Sequence, residues 1–578
     1  MLKIEPKQLN FYSLLYHKIP ENHILKLINS AISLNFINEM LSESYCTGFG
    51  RPAKEPEMMF RILLLQYLYN LSDERVIEEL QVNLAYMWFI GINPDDELPH
   101  PSLLAKFRTL RLKDIDLDDI ITEIVRQCID KNIIKKENGI VIDTTHIEAN
   151  TTKKTPERIM KHLARKIFKE ANINEYDIPD YKQIEDHKEA KAVMKEYLEN
   201  VISENSEKAP VSTQEAKSIL SSELFIEQKG IRSLVDTDAR VGRKSKTQNF
   251  FGYKAEIEQT TEESIITAVC VENGAYVDGE NFETLQKQTS KSGIEITEFY
   301  GDKAYFRADI LNTLISEHID HYIPVSASSY KIDEDLFRYN KDSDQWFCIY
   351  GNETVKRKNK TVEKRGKSFK QSIYTFCKET CRSCPHRDLC MGKSKKIARS
   401  LHISENAPLF YELSQRAQSE EFLEKYKKRA KIEPKNSELK RFHRLARARG
   451  YGLRSVSFQT KLTVIAVNLK RISKLISPLN TRKSVIIVIC TLGWLKKQDF
   501  FSGFERFCRV WYYFTNQAYI ICFNCRFLGS MQPFGNLTGI HSERHFTERR
   551  LLYYEKIFSF DCSDIMCGFT QCICRGRQ

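Results

Sequence analysis

Two short strand-like runs, each leading into an aspartate, constrain this chain most. Gly139-Ile140-Val141-Ile142 ends in Asp143, and Ile296–Tyr300 runs into Gly301-Asp302. The first, β-branched and apolar, reads as a buried strand, and the second also carries a strand signal. Between the two, Phe251–Gln259 and Ser264–Val271 read as a hairpin and Glu280–Ser290 as a helix. After Asp302, a helix near Tyr305–Ser316 precedes a strand at His321–Val325. This order places two carboxylates at the C-terminal ends of strands in one α/β sheet, where ligand sites of such sheets gather.

Residues 1–130 read as helical. Glu57–Asn70 is apolar nearly all round, which predicts a buried helix. Ser72 is an N-cap ahead of Asp73 and Glu74. It opens one helix with Val76, Ile77, Leu80, Leu84, Met87 and Trp88 at helical spacing. His100-Pro101-Ser102 begins a short helix bearing Lys106, Arg108, Arg111 and Lys113. Short helices ending in a basic one suit DNA docking; a helical dimerisation domain would look the same. Residues 151–230, rich in lysine and glutamate, read as a helical, solvated insertion without chemistry. Residues 326–405 are polar and strand-like. Pro408–Lys440 reads as helical with Glu433 near its end, and Thr460–Leu475 as an amphipathic helix with Leu462, Ile465, Leu469 and Ile472 on one face.

Composition narrows the partner. A net charge of +12 on 578 residues, 42% hydrophobic and 28% charged, describes a soluble globular chain and favours a polyanion where the charge clusters. The N-terminus lacks the order of an export signal, and the apolar run Val485–Leu495 is shorter than the ~20 residues of a membrane span. A cytoplasmic protein with no membrane partner is therefore expected. Its 16 cysteines should be reduced, buried or metal-bound. Cys377, Cys381, Cys384 and Cys390, spaced CxxxCxxCxxxxxC, could complete one tetrahedral structural Zn²⁺ site, with His386 able to replace one of them. From Pro478 onward the texture changes. Eight of the 16 cysteines lie there, which fits a small cysteine-rich domain or, preferably, translation out of frame.

Phosphodiester chemistry with two metal ions needs carboxylates from separate parts of a fold converging on cations ~4 Å apart. Asp143 and Asp302 supply two. Tyr426, Arg429, Glu433 and Lys440 stand in KYKKRAKIEPKNSELKRF, where the seven-residue step from Glu433 to Lys440 puts a carboxylate and an ammonium on one helix face. Arg441, Arg444, Arg447 and Arg449 follow directly and would contact phosphates. The basic stretch Arg240–Lys246 could do the same.

These segments resemble the DDE transposases of insertion sequences, most closely the IS1182 family of the IS4-like superfamily, over about residues 10–476. The resemblance rests on RPAKEPEMMFRILLLQYLYNLSDERVIEEL with HPSLLAKFR, on GIVIDTTHIEANT, on FYGDKAYF, and on the Tyr426, Arg429, Glu433, Lys440 pattern. Pro434, directly after Glu433, departs from it. The resemblance implies a ribonuclease H-like core, a five-stranded mixed sheet flanked by helices and interrupted before the glutamate helix. The expected domains are a helical DNA-binding domain (1–130), a first part of the core (131–325), a cysteine-bearing insertion (326–405), the rest of the core (406–477) and an atypical tail (478–578). It also implies that Asp143, Asp302 and Glu433 hold two Mg²⁺ or Mn²⁺ ions. Tyr426, Arg429 and Lys440, with Lys106 and Arg108 of the N-terminal domain, would bind DNA. A homodimer would pair the terminal inverted repeats and join them to target DNA, in the cytoplasm at the nucleoid. Two other readings stay open: a relic that only binds DNA, and a nuclease that cuts without joining.

Overall fold

The computed structural model describes residues 13–477, apart from 47–51, 223–224, 226–229, 246, 365–366 and 393–395. The expected atypical tail, its cysteines and the run Val485–Leu495 lie outside the described residues, as does Lys246. No helix among the described residues is long and apolar enough to cross a membrane.

The protein is mixed α/β. Its main sheet contains β1 (Glu137–Glu148), β2 (Arg240–Arg243), β3 (Asn249–Thr260), β4 (Ile266–Asn273), β5 (Glu295–Tyr300) and β6 (Asp320–Tyr322). It therefore has six strands, one more than expected, because the short β2 adds to β3. β3 lies antiparallel to β1, and β2 and β4 pair with its other edge, also antiparallel. On the far side, β5 runs parallel to β1 and β6 parallel to β5. β3 alone runs against the rest. The predicted hairpin is β3–β4, and β5 and β6 match the predicted strands.

β1 corrects one expectation. It does not end at Asp143 but continues through Thr144, Thr145 and His146 to Glu148, paired with β3 throughout. Ile140, Val141 and Ile142 are fully buried, as the apolar run predicts.

The N-terminal helices agree in kind and differ in detail. Pro56–Tyr69 is the predicted buried helix, and the Ser72 side chain caps the next by accepting from the Arg75 N–H. That second helix is two, Asp73–Val82 and Leu84–Ile90. Asn83 divides them, its side chain accepting the N–H groups of Ala85 and Tyr86. The C-terminal helix, Leu453–Ile476, is buried on most sides rather than along one stripe. It packs on helices Ile24–Ala31, Pro56–Tyr69 and Leu117–Asp130 and on β4. Asn468 pins it: its amide accepts the Ile266 N–H at 2.9 Å and donates to the Ile266 carbonyl at 2.7 Å. One apolar core consequently runs from the N-terminal helices through the sheet to this last helix.

Two insertions carry small cores of their own. Helices Pro156–Glu170, His187–Asn205 and Pro210–Leu220 enclose Ile159, Leu163, Met194 and Leu198, so the 151–230 insertion is a packed unit rather than a solvated one. The second insertion consists of β7 (Phe337–Asn340), β8 (Gln345–Cys348), β9 (Thr354–Lys364), β10 (Lys367–Phe376) and β11 (Ser400–Ser404), with two one-turn helices. Trp346 and Tyr374 lie at its centre.

Candidate active site

The side of β1 that carries Val141 is covered by the chain from 420 to 442. Val141 packs with Tyr300, Tyr322, Phe422 and Ile432. Glu298 of β5 clasps that segment, receiving Lys425 and Lys428 at 2.8 Å each and the Tyr300 hydroxyl at 2.6 Å. Burial pushes this carboxyl up, but the three donors outweigh it and hold it at about 2. Nothing in the sequence around Glu298 signals this role, because the two lysines stand far away in the chain.

The segment is not one helix to Lys440. Ala407–Ala417 and Glu420–Tyr426 are separate, a 3₁₀ turn spans Lys427–Lys431, and a new helix runs Ile432–Phe442. Glu433 thus stands in the first turn of a helix rather than near the end of one. Pro434 shares that turn, where backbone N–H groups have no intrahelical acceptor, so the proline removes no hydrogen bond.

From this helix Asn436 donates Nδ2 to Asp143 Oδ2 at 2.9 Å. Arg429, from the 3₁₀ turn, lies 3.5 Å from Asp143 Oδ1 and 3.4 Å from Glu433 Oε1. Asp302 caps the turn after β5, accepting the Ala304 N–H at 2.8 Å. Gly301 suits this close turn, since a Cβ there would stand 3.2 Å from the Tyr305 side chain, which would have to shift by a few tenths of an ångström. Burial raises the Asp143 carboxyl to about 6; Arg429 opposes this, and the charges of Asp302 and Asp278 add to it. Burial also raises the Tyr426 hydroxyl, which feels Asp302, Asp143 and Glu433 together. The three carboxylates, Tyr426 and Arg429 therefore share one electrostatic neighbourhood. Asp143 is 19% exposed and Glu433 64%, so the site is closed on the strand side and open on the helix side. No three His, Cys, Asp or Glu side chains among the described residues are grouped so as to hold a metal ion. Between Asp143 and Glu433 stands the Arg429 guanidinium.

Further partners lie beneath and beside the aspartates. The buried Glu256, opposite Thr144 in the β1–β3 register, receives the hydroxyls of Tyr305 at 2.7 Å and Tyr276 at 2.6 Å and the Gly279 N–H at 2.8 Å. Tyr305 also meets Thr144 Oγ1 at 3.2 Å, tying the turn after Asp302 to β1. Lys440 Nζ lies 3.1 Å from His146 Nδ1. Burial and the charge of Lys244 lower Lys440 to about 8; burial, Lys440 and Lys244 lower His146 to about 4. Asn436 and His146 are thus members of the site that the sequence reading missed, whereas Lys244 belongs to the basic stretch Arg240–Lys246 that it singled out. Asn436 alone had a local signal, lying three residues after Glu433 and four before Lys440 on one helix face.

The remaining basic candidates divide. Lys106 is exposed. Arg108 is half-buried and gives its guanidinium to Asp73, at 2.5 and 2.9 Å. Arg441, Arg444, Arg447 and Arg449 are all exposed. Their segment is docked against the end of β1, with Glu148 N–H donating to Ala446 and Ala448 N–H to Glu148, at 2.9 and 2.8 Å. Arg449 also covers the Tyr67 ring. Arg240 is buried and donates to the carbonyls of Thr237 and Ala239, so it is taken up internally.

The cysteine cluster converges with one exchange. Cys381, Cys384 and Cys390 line a small pocket together with Cys348 of β8, between Phe337, Tyr350, Arg387 and Arg399. Cys377 does not line it; it stands at the N-terminus of the one-turn helix Lys378–Arg382. All five are free thiols.

Two family models match. Residues 13–110 match the Transposase domain (DUF772), and residues 347–473 match the Transposase DDE domain. The second span includes Glu433 and Lys440, whereas Asp143 and Asp302 lie outside both. No curated protein matches the chain. Solved structures similar to it include the piggyBac transposase in the cryo-EM structure of its synaptic complex with hairpin DNA. That chain is 10% identical over 82% of this chain and 77% of its own, with a TM-score of 0.28, too low to carry an argument. The chain thus carries a transposase domain at its N-terminal end and a transposase DDE domain over the Glu433 helix, consistent with the IS1182-type DDE transposases that its motifs resemble.

Proposed function

We propose that this chain cuts DNA at the terminal inverted repeats of an insertion sequence and joins the freed ends to target DNA. The observation that carries the reading is the convergence on Asp143. Arg429 and Asn436, four residues before Glu433 and three after it, both reach this carboxylate, which also feels the charge of Asp302. The sheet supports a ribonuclease H-like core: the order β4-β3-β1-β5-β6 with only β3 reversed, and an insertion before the glutamate helix.

Asp143, Asp302 and Glu433 would hold Mg²⁺ or Mn²⁺, two ions per site, since hard oxygen donors suit these cations. When bound, the ions supply Lewis-acid polarisation of the phosphodiester and neutralise its developing charge. The surroundings fit such a group: Arg429 already places a positive charge between Asp143 and Glu433. Arg429 Nε and Asn436 Oδ1 are buried there without a hydrogen-bond partner. Arg429 would move from the carboxylates to a DNA phosphate as the cations enter. Lys440, with Tyr426, would hold the strand being transferred, and the arginines from 441 to 449 would grip the flanking duplex. A homodimer would bring the two ends together.

The test is cleavage of labelled DNA carrying the element's own ends, with Mg²⁺ or Mn²⁺. Glu433→Gln is expected to slow cutting roughly a hundredfold or more while end binding persists, as loss of one metal-holding carboxylate removes several kcal/mol of transition-state stabilisation. Binding with no cutting by the unaltered chain would instead favour a relic that only recognises ends. Cutting without strand-transfer products would favour a nuclease.

For the second insertion we propose a structural Zn²⁺ held by Cys348, Cys381, Cys384 and Cys390, the thiols rotating inward from their present positions. Zinc bound per purified full-length chain should then fall in Cys348→Ser and stay in Cys377→Ser. The reverse pattern would restore the set read from sequence spacing.

A further inference from the structure

We propose that one face of the β9–β10 ribbon is a second DNA-binding surface that grips the phosphates of duplex DNA; this rests on the transposase reading. Between residues 354 and 376 basic side chains outnumber acidic ones eight to one, Glu363 being the single acid. The two strands are paired from Thr354 and Phe376 to Lys364 and Lys367, and the ribbon is exposed along most of its length.

Its faces differ. Cross-strand partners share a face, so Arg357 lies with Tyr374 and Asn359 with Ser372. That face is anchored to the insertion: Arg357 bonds Asp344 at 2.6 Å, and Tyr374 is buried. The other face presents Lys356, Lys358 and Lys360 at alternate positions, a row spaced about 7 Å apart at strand rise. All three are exposed, and none makes an ion pair or hydrogen bond among the described residues. Beyond them Phe369, opposite Val362, is 52% exposed. Three aligned ammonium groups held by a rigid strand, with no internal acceptor, are placed to contact a row of anions. Lysine offers a point charge rather than a planar fork, so these contacts go to phosphates and carry no base sequence.

The experiment titrates the full chain with fluorescent duplex DNA, one carrying the element's end and one unrelated, from ~50 to ~200 mM salt. In the triple variant Lys356→Gln, Lys358→Gln, Lys360→Gln, the slope of log K against log salt should become shallower by about 3, near one counterion per lost phosphate contact. Affinity should drop equally for both duplexes. Lys370→Gln, on the anchored face opposite Thr361, should leave the slope unchanged. An unaltered slope in the triple variant, with the parent binding and cutting normally, would overturn the ribbon proposal and leave the transposase reading intact. A parent chain that binds neither duplex would overturn both. Because the three side chains are exposed and unpaired, circular dichroism of the variant should match the parent.

Discussion

Asp143→Asn should abolish cleavage and strand transfer and at the same time make the protein more stable in the absence of metal. The two effects share a cause. Asp143 is 19% exposed and its carboxyl is raised to about 6, so at pH 7.5 the folded chain holds a poorly solvated negative charge. Its folded pKa lies above that of an unfolded aspartate, so wild-type stability is greatest below about 4. It falls as pH rises to about 6 and is flat above. Asparagine has no charge to desolvate and can still accept from Asn436. By the equivalence of about 1.4 kcal/mol per pKa unit, the variant should gain roughly 1–3 kcal/mol at pH 7.5. The measurement is thermal unfolding in chelator at pH 7.5 and pH 5, where the gain should shrink as the native carboxyl takes up its proton. A variant less stable than the parent at pH 7.5 would show that the carboxylate holds β1 to the Glu433 helix rather than waiting for a cation. Retained cutting would remove Asp143 from the site.

Much of this site was legible because its parts carry local signals. Asp143 follows an apolar run and Asp302 a strand-like one, and Tyr426, Arg429, Glu433 and Lys440 keep a fixed spacing. The errors lie where tertiary context decides. β1 continues past Asp143 because β3 offers partners for Thr144 through Glu148, and the strand-averse Asp143 interrupts the pattern ahead of the two threonines that favour a strand. Asn83 reads as one polar residue in a helix but serves as a cap that starts another. Cys348 is almost thirty residues from Cys377 and on another strand, so spacing within the CxxxCxxCxxxxxC run could not reveal it. Glu256 and Glu258 carry no local signal of their burial. They alternate with Ala255 and Ile257 in a strand, and both are buried under the helix Phe282–Lys291 and the turn before it.

Those two buried acids show how a raised pKa can mean structure rather than catalysis. Glu258 is 0% exposed and burial pushes its carboxyl to about 8. Unlike Asp143, it meets no arginine and no open face. Gln286 Nε2 donates to one oxygen at 2.7 Å, and the other lies 2.7 Å from Thr289 Oγ1, which stands 2.8 Å from Thr267 Oγ1. A protonated Glu258 fits this chain, donating to Thr289, which donates on to Thr267. The folded state then keeps a proton that the unfolded chain releases near 4.5. Stability is full below that value and is lost as pH rises through about 8. Glu258→Gln keeps both hydrogen bonds, accepting from Gln286 and donating to Thr289, and has nothing to ionise. It should match the parent near pH 4.5 and exceed it by roughly 3–5 kcal/mol at pH 8, on the scale of about 1.4 kcal/mol per unit. Denaturant unfolding at a series of pH values reads this directly as a slope present in the parent and absent in the variant. Cutting by the variant should be unchanged, in contrast with Asp143→Asn. A parent stability that stays level from pH 5 to 8 would mean that Glu258 is ionised in the fold and that Gln286 and the two threonines suffice to hold its charge.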